Sequence, residues 1–414
     1  MSSGARLGEY TVWLVDACGQ IQAVADFLLE SDHRGRHRHS GLRYHDHWLK
    51  NPDAFPLNPV HAPLQTEPLE WRTPETPAVL DEILPGQWER TVLRHRWNQD
   101  SEPRDPDDLH AVLGAPRSVF RPGAVEILPV DTRPPPLKAP LHESELGHLI
   151  RDARELEIVP QAALALLQRL QGGSSAGGAR PKLLLSADDG QYLAKLNRDN
   201  DPFDHVRVEF ACLSLARAAG LTVPDCRIAE VGDRRALMIR RFDISDHGGR
   251  RHMISANALL KDADQRDVAH ARYDDLATLI RHHGAQPAAD LARLYRQMLF
   301  NNAINNRDDH LKNFSFLQGP NGLHLSPTYD PVPSEALGAW PVLGFGHQAT
   351  LPHAGTDAAL KAAATFGLPP AEAREINHQL TEALADSERH FQTAALNPTD
   401  QGLLARLFTR PESP

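Results

Sequence analysis

One stretch constrains this chain more than any other, Asn301 to Asp330, NNAINNRDDHLKNFSFLQGPNGLHLSPTYD. A helical run leads into it, with Leu291, Leu294, Tyr295, Met298 and Leu299 at i, i+3, i+4, i+7, i+8 spacing. A polar loop follows, holding Asp308, Asp309, His310, Lys312 and Asn313. Two short apolar pieces, Phe314 to Leu317 and Leu323 to Leu325, then flank Gly319-Pro320-Asn321-Gly322, the signature of a hairpin. Tyr329-Asp330 comes just past it. A two-stranded hairpin returns the chain to its start, so Asp308, Asn313 and Asp330 are expected to converge on one small volume. Phosphoryl transfer uses such a set: a carboxylate to orient or deprotonate the attacking hydroxyl, and an Asn and an Asp as oxygen ligands for Mg²⁺. Loops rich in Asn and Asp are also ordinary turn chemistry. A bare DDH or KN reads that way; the hairpin and the second Asp favour a site.

A second grouping lies upstream. Gly172-Gly173-Ser174-Ser175-Ala176-Gly177-Gly178-Ala179 has no bulky side chain, which lets backbone N–H groups approach a polyanion. Leu183 to Ser186 and Gln191 to Leu196 read as strands around an Asp188-Asp189-Gly190 turn. A glycine-rich loop followed by a hairpin whose second strand ends in a lysine, here Lys195, is the ATP grip of a kinase-like N-lobe. It is not a Walker A loop, because the GxxxxGK[ST] spacing is absent. A flexible linker has the same Gly/Ser composition; Lys195 at the right distance adds weight. Glu209 lies on the next helix, His205 to Gly220, where a carboxylate commonly fixes such a lysine. It is also a residue any helix surface offers. Strands are expected at Val223 to Ile228 and Ala236 to Ile239, followed by Arg240-Arg241-Phe242-Asp243.

The rest of the chain sets limits. Its 414 residues suffice for two or three domains or one large bilobal protein, and 41% hydrophobic content supplies a core. No apolar run approaches the roughly 18–20 residues of a spanning helix, and MSSGARLGEYTVWLV lacks a secretory pattern, so a soluble, cytoplasmic protein with no membrane association is expected. Cys18, Cys212 and Cys226 form neither a disulfide framework nor a zinc site. A net charge of −10 gives no global pull on nucleic acid. Much of the proline, 33 residues in all, falls in the first 140 positions, which should be loop-rich and strand-rich. There Tyr10 to Val15 and Ile21 to Ala25 suggest a hairpin, and the His- and Arg-rich run from Asp32 to His47 is expected to be a solvated hairpin tip rather than a metal site. Gln87 to Trp97 reads as a helix, Arg133-Pro134-Pro135-Pro136 as a linker, and Ser144 to Glu157 and Pro160 to Leu170 as helices. Helices are expected again at about Tyr273 to His283, Ala288 to Asn305, Asp357 to Phe366 and Pro370 to Gln392.

Asp308, His310, Lys312, Asn313, Ser315 and Tyr329-Asp330 resemble the catalytic loop and metal segment of the HipA family of bacterial serine/threonine kinases, the toxin halves of toxin–antitoxin pairs. EFACLSLARAAGLTVPDCRI and LPGQWE match the family too, the latter partially. The resemblance is strong from about 172 to 345 and weak before 140. It implies an α+β, bilobal protein-kinase-like fold: a β-rich N-terminal subdomain over 1–138, an N-lobe over 139–245, and a mainly helical C-lobe over 246–414. It implies ATP and Mg²⁺ as cofactors, Asp308 as catalytic base, and Asn313 and Asp330 as metal ligands. Asp309 stands where the family often has a small residue, and the base is placed at Asp308 rather than there. Lys195, Gly177, Gly178, Arg240, Phe242 and His310 would contact nucleotide, Glu209 would pair with Lys195, and Lys312 would neutralise developing charge. Arg240 stands where the family usually has Glu. A loop serine, Ser175 with Ser174 as fallback, would be autophosphorylated. The implied partners are a HipB-like helix-turn-helix antitoxin, DNA only through that antitoxin, and an aminoacyl-tRNA synthetase as substrate, usually the glutamyl enzyme. Two other readings compete: a small-molecule kinase of aminoglycoside-phosphotransferase type, and a catalytically dead co-repressor. Lys195, Asp308, Asn313 and Asp330 together argue against the second.

Overall fold

The computed structural model describes residues 5–98, 104–114, 122–134, 141–150, 180, 182–232, 234–261, 270–335, 341–347 and 350–408. The boundary expected near 138 and the glycine-rich loop lie outside these residues, as do most of the two helices expected between 144 and 170.

Alternating apolar residues in the first 130 positions build an antiparallel sheet in the order β4-β3-β2-β1-β5, from β1 Arg6–Val15, β2 Ile21–Ser31, β3 His37–Tyr44, β4 Leu69–Trp71 and β5 Val125–Pro129. Its inner face buries Val12, Val24, Phe27 and Leu29 against Trp48 and Leu80. Asp16 closes the first hairpin by accepting from the backbone of Cys18 and Gln20, and Asp32 closes the second by accepting from Arg34 and Arg36. The expected solvated tip needs one correction. His33, Arg34, Arg36 and Arg38 are exposed, but His37 is buried, its ring nitrogens bonded to Ser40 Oγ (2.9 Å) and the Thr73 carbonyl (2.8 Å). Among the described residues, no three His, Cys, Asp or Glu side chains cluster as a metal site.

A second five-stranded sheet, in the order β6-β7-β8-β10-β9, comprises β6 Leu141–His142, β7 Lys182–Ala187, β8 Gly190–Leu196, β9 Cys226–Val231 and β10 Arg234–Arg240. Strand β9 begins later than the expected Val223, because Pro224 has no N–H for a ladder. The helix His205–Ala218 packs on this sheet; Asp204 caps its first turn and Gly220, at φ +78°, ends it.

The remaining chain is mainly helical around one small sheet, β11 Met253–Ser255, β12 Ser315–Gly319 and β13 Gly322–Leu325. Helices Tyr273–His283 and Pro287–Ala303 bury Leu276, Ile280, Leu294, Tyr295, Met298 and Leu299 in the largest core. The single helix expected from Pro370 to Gln392 is two, Pro370–Ala385 and Ser387–Thr393, breaking at Asp386. The end of the Asp357–Phe366 helix tightens to a 3₁₀ turn before Gly367, at φ +70°. Among the described residues no helix is long and apolar enough to cross a membrane.

The first sheet is fastened to the helical part. Asn58 Nδ2 donates to the Ala258 carbonyl (3.0 Å) and its Oδ1 accepts from the backbone of Val60 and His61. His252 Nε2 meets the Leu57 carbonyl (2.9 Å), and Lys261 Nζ donates to the Thr76 carbonyl (3.1 Å). Buried Asp243 accepts from Gly123 N (2.9 Å) while paired with Arg241. Asn58 is 1% exposed, so Asn58→Ala strands three backbone partners. We expect it to cost about 2 kcal/mol in urea unfolding; a change below about 0.5 kcal/mol would show that the brace carries nothing.

Candidate active site

The helix Pro287–Ala303 sets the far end of the β12–β13 hairpin. Buried Asp290 accepts from Leu325 N (3.0 Å), and Arg293 donates to the carbonyls of Leu325 (2.7 Å) and Ser326 (2.8 Å). Thr328 Oγ1 meets Gln297 Oε1 (3.0 Å), while Thr328 N donates to the Thr222 carbonyl (2.8 Å) beside the second sheet. The chain after β13 is thereby led toward that sheet. Tyr329 turns back: its hydroxyl donates to the Lys312 carbonyl (2.8 Å) and lies 2.7 Å from Ser315 Oγ. The backbone neighbour of Asn313 and the backbone neighbour of Asp330 are therefore joined by one side chain. Asp330 adopts φ +56°, a left-handed conformation rare outside glycine.

From there Asp330 reaches Lys195 on β8, and the two form an ion pair. Lys195 Nζ also pairs with Glu209 Oε1 at 2.6 Å. Burial by itself would discharge Lys195; Asp330 and Glu209 more than offset it and hold the ammonium above the usual lysine range. Burial likewise opposes the Asp330 charge, yet Lys195 and Lys182 hold that carboxyl below the usual range. Burial raises Glu209, against the pull of Lys195. Lys182 is the second buried lysine here, opposite Lys195 in the β7–β8 ladder, and burial lowers it. Lys182 is the one member of this cluster absent from the residues the sequence singles out. A signal for it exists: Lys182 and Lys195 are equidistant from the hairpin turn at Asp188-Asp189, so a tight hairpin must pair them across the strands. Two buried lysines and two carboxylates therefore share one cluster.

The loop 308–313 lies alongside. Asn313 Nδ2 donates to the Asp308 carbonyl (3.1 Å), leaving its amide oxygen as the atom a cation would use. His310 has a buried Nδ1 with no hydrogen-bond partner among the described residues. Phe242 stacks on Tyr329 with ring centroids 5.9 Å apart. Arg240 is exposed at the end of β10, its guanidinium beside the Gly190 turn. Ser174, Ser175, Gly177 and Gly178 fall outside the described residues.

The two adjacent aspartates separate sharply. Asp308 is exposed, whereas Asp309 is fully buried and accepts from the Tyr273 hydroxyl. Burial pushes Asp309 up to about 7, against hydrogen bonds from Tyr273 and Asn301. Between the unfolded carboxyl value and about 7 the folded chain keeps a proton that the unfolded chain gives up, so this group's contribution to stability falls as pH rises through that window. Asp309→Asn removes the penalty. We expect it to gain on the order of 2 kcal/mol at pH 8 and almost nothing at pH 4. Equal effects at both values, read from denaturant curves, would refute the charged burial of Asp309.

An oxygen set of one amide and one carboxylate suits Mg²⁺, which takes few protein ligands and completes its shell with phosphate and water. Comparison with known proteins shows the family. A family model described as the HipA-like C-terminal domain matches residues 174–387, more than half of the chain. The chain belongs to the HipA family. Its relatives are distant. The Sinorhizobium fredii protein Y4mE, whose name describes a kinase, is 26% identical over 322 residues, covering 71% of this chain and 72% of that protein. The serine/threonine-protein kinase toxin HipA of Shewanella oneidensis is 31% identical over 189 residues, which span 38% of this chain and only 42% of the toxin. In fold the chain is similar to the HipA structure from Shewanella oneidensis solved with HipB and operator DNA, with a TM-score of 0.62 at 16% identity over 95% of this chain and 94% of that one. The α+β kinase-like architecture expected of a HipA-family chain is the one observed.

Proposed function

We propose that this HipA-family chain is an ATP- and Mg²⁺-dependent serine/threonine protein kinase. The observation behind this reading is Lys195 held at once by Glu209, 14 residues on, and by Asp330, 135 residues on. A buried lysine fixed between a helix carboxylate and a carboxylate beside the catalytic loop is the arrangement phosphoryl transfer requires. Lys195 and Lys182 bind the phosphates of ATP, with Gly177 and Gly178 covering them and His310 adding a donor. Phe242 and the backbone near Arg240 receive the adenine. Asn313 and Asp330 hold Mg²⁺, which supplies charge neutralisation at the phosphates when bound. Asp308 accepts the proton of the attacking serine or threonine hydroxyl as the new O–P bond forms and the bond to ADP breaks. Lys312 offsets the developing negative charge. The exposure of Asp308, against the burial of Asp309, supports Asp308 as the group a protein substrate reaches.

The finer reading follows the family. Ser175, with Ser174 as its alternative, is the autophosphorylation site; an aminoacyl-tRNA synthetase is the substrate; a HipB-like antitoxin is the partner. Domain limits near 138 and 245 belong to the same proposal. The test is phosphosite mapping after incubation with ATP and Mg²⁺, with glutamyl-tRNA synthetase as acceptor and an aminoglycoside in parallel. We expect phosphate on Ser175 and on the synthetase. Transfer to the aminoglycoside alone would overturn the protein-kinase reading, and phosphate on the synthetase without phosphate on either loop serine would overturn the autophosphorylation.

A further inference from the structure

Glu82 belongs to the first sheet's part of the chain, directly after the short helix Ala78–Asp81, yet its carboxylate serves the other side. It accepts from Ser255 N (2.9 Å) through one oxygen and from Ser255 Oγ (2.5 Å) through the other. Ser255 ends β11 and caps the helix Ala256–Leu260, its Oγ also accepting from Ala258 N. Directly across the β11–β12 ladder stands Ser315, the residue whose hydroxyl meets Tyr329. Tyr329 in turn holds the Lys312 carbonyl and immediately precedes Asp330. Glu82 thus meets the support of the catalytic hairpin, and the path from it runs through Ser255, Ser315 and Tyr329 to the Lys312 carbonyl.

We propose that Glu82 is a positioning residue for phosphoryl transfer, anchoring β11 behind the catalytic hairpin and, through Ser315 and Tyr329, fixing the backbone that carries Lys312. This rests on the kinase reading above. The cleft around Glu82, walled by Val79, Ile83, Gly123 and Met253, is where the first sheet's part meets that hairpin. Deleting the anchor shifts Lys312 and leaves the Lys195, Glu209 and Asp330 cluster in place, so it affects turnover more than nucleotide binding.

The experiment is a double-mutant cycle on the full chain with Glu82→Gln and Lys312→Met, measuring kcat, the KM for ATP, and Tm. Gln keeps the shape and one acceptor but removes the charge. We expect Glu82→Gln to lower kcat about tenfold with the KM for ATP within about twofold, since small displacements of positioned groups cost rate steeply. The two substitutions together should fall short of the product of their single effects by about threefold or more. A kcat within about twofold of wild type, or a strictly multiplicative cycle, overturns the proposal and assigns Glu82 a structural role alone. If Glu82→Gln does not fold, Ser255→Ala carries the test: a lowered kcat at native Tm supports the anchor, and an unchanged kcat overturns it. If the wild type transfers no phosphate, the kinase reading fails first, and the cycle is then read in Tm: non-additive Tm shifts support the Glu82–Lys312 coupling, and additive shifts overturn it.

Discussion

Replacing Asp308 by Asn or Ala is expected to lower kcat for phosphate transfer about 1,000-fold, the scale of a lost general base, while leaving the fold untouched. The fold survives because the structural bonds at this position belong to the backbone. The Asp308 carbonyl accepts from Asn313 Nδ2 (3.1 Å) and from His310 N (3.0 Å), and any side chain preserves both. The carboxylate itself is exposed, so its loss should move stability by less than about 0.5 kcal/mol. The KM for ATP should stay near wild type, because the phosphate-binding lysines are on other elements. Steady-state kinetics with ATP and the phosphorylated acceptor, alongside a melting curve, read all three quantities. Activity within about tenfold of wild type would remove Asp308 from the base role. A large loss of stability would mean the effect on rate was indirect.

Lys195→Met should act on both activity and stability. Lys195 is 8% exposed and Glu209 5% exposed, with Nζ and Oε1 2.6 Å apart. Removing the ammonium leaves Glu209 buried without its counter-charge and Asp330 facing it as a like charge, and breaking a buried pair from one side costs about 3–5 kcal/mol. Burial already raises Glu209 in the intact chain, and without Lys195 it rises further. A raised carboxyl makes stability fall as pH climbs from the unfolded value to the folded one, so the deficit of Lys195→Met should be smallest in mild acid and largest above neutrality. Adding Glu209→Gln should recover part of the loss, with a coupling of at least about 1 kcal/mol. Simple additivity of the two substitutions in urea unfolding would show that the pair is not energetically joined. ATP binding should be lost in Lys195→Met at any pH where the variant is folded.

The local features of the site are readable without coordinates. The Phe314–Leu325 hairpin, the strand ending near Lys195, the helix carrying Glu209 and the helix entering the catalytic loop all follow from short-range periodicity and turn residues, whose physics is local. What local rules leave open is decided by packing. His37 looks like every other histidine in its polar run, and only the packing around β4 buries it on Ser40 and Thr73. Asp308 and Asp309 are identical as residues; the turn geometry sends one outward and the other onto Tyr273. Lys182 is hidden because its partners are remote: its place beside Asp330 depends on Thr328, Gln297 and Thr222 leading a distant segment to the second sheet.

Residue order was enough for the hairpins that carry Lys195 and follow Asn313 and for the helices that carry Glu209 and enter the 308–313 loop, because each depends on neighbours within about a dozen positions. Folding in three dimensions settled which charges face one another, which aspartate is open to solvent, and that Glu82 reaches across to Ser255. Those outcomes are set by burial and Coulomb interaction between residues far apart in the chain, and neither quantity exists until the core has closed.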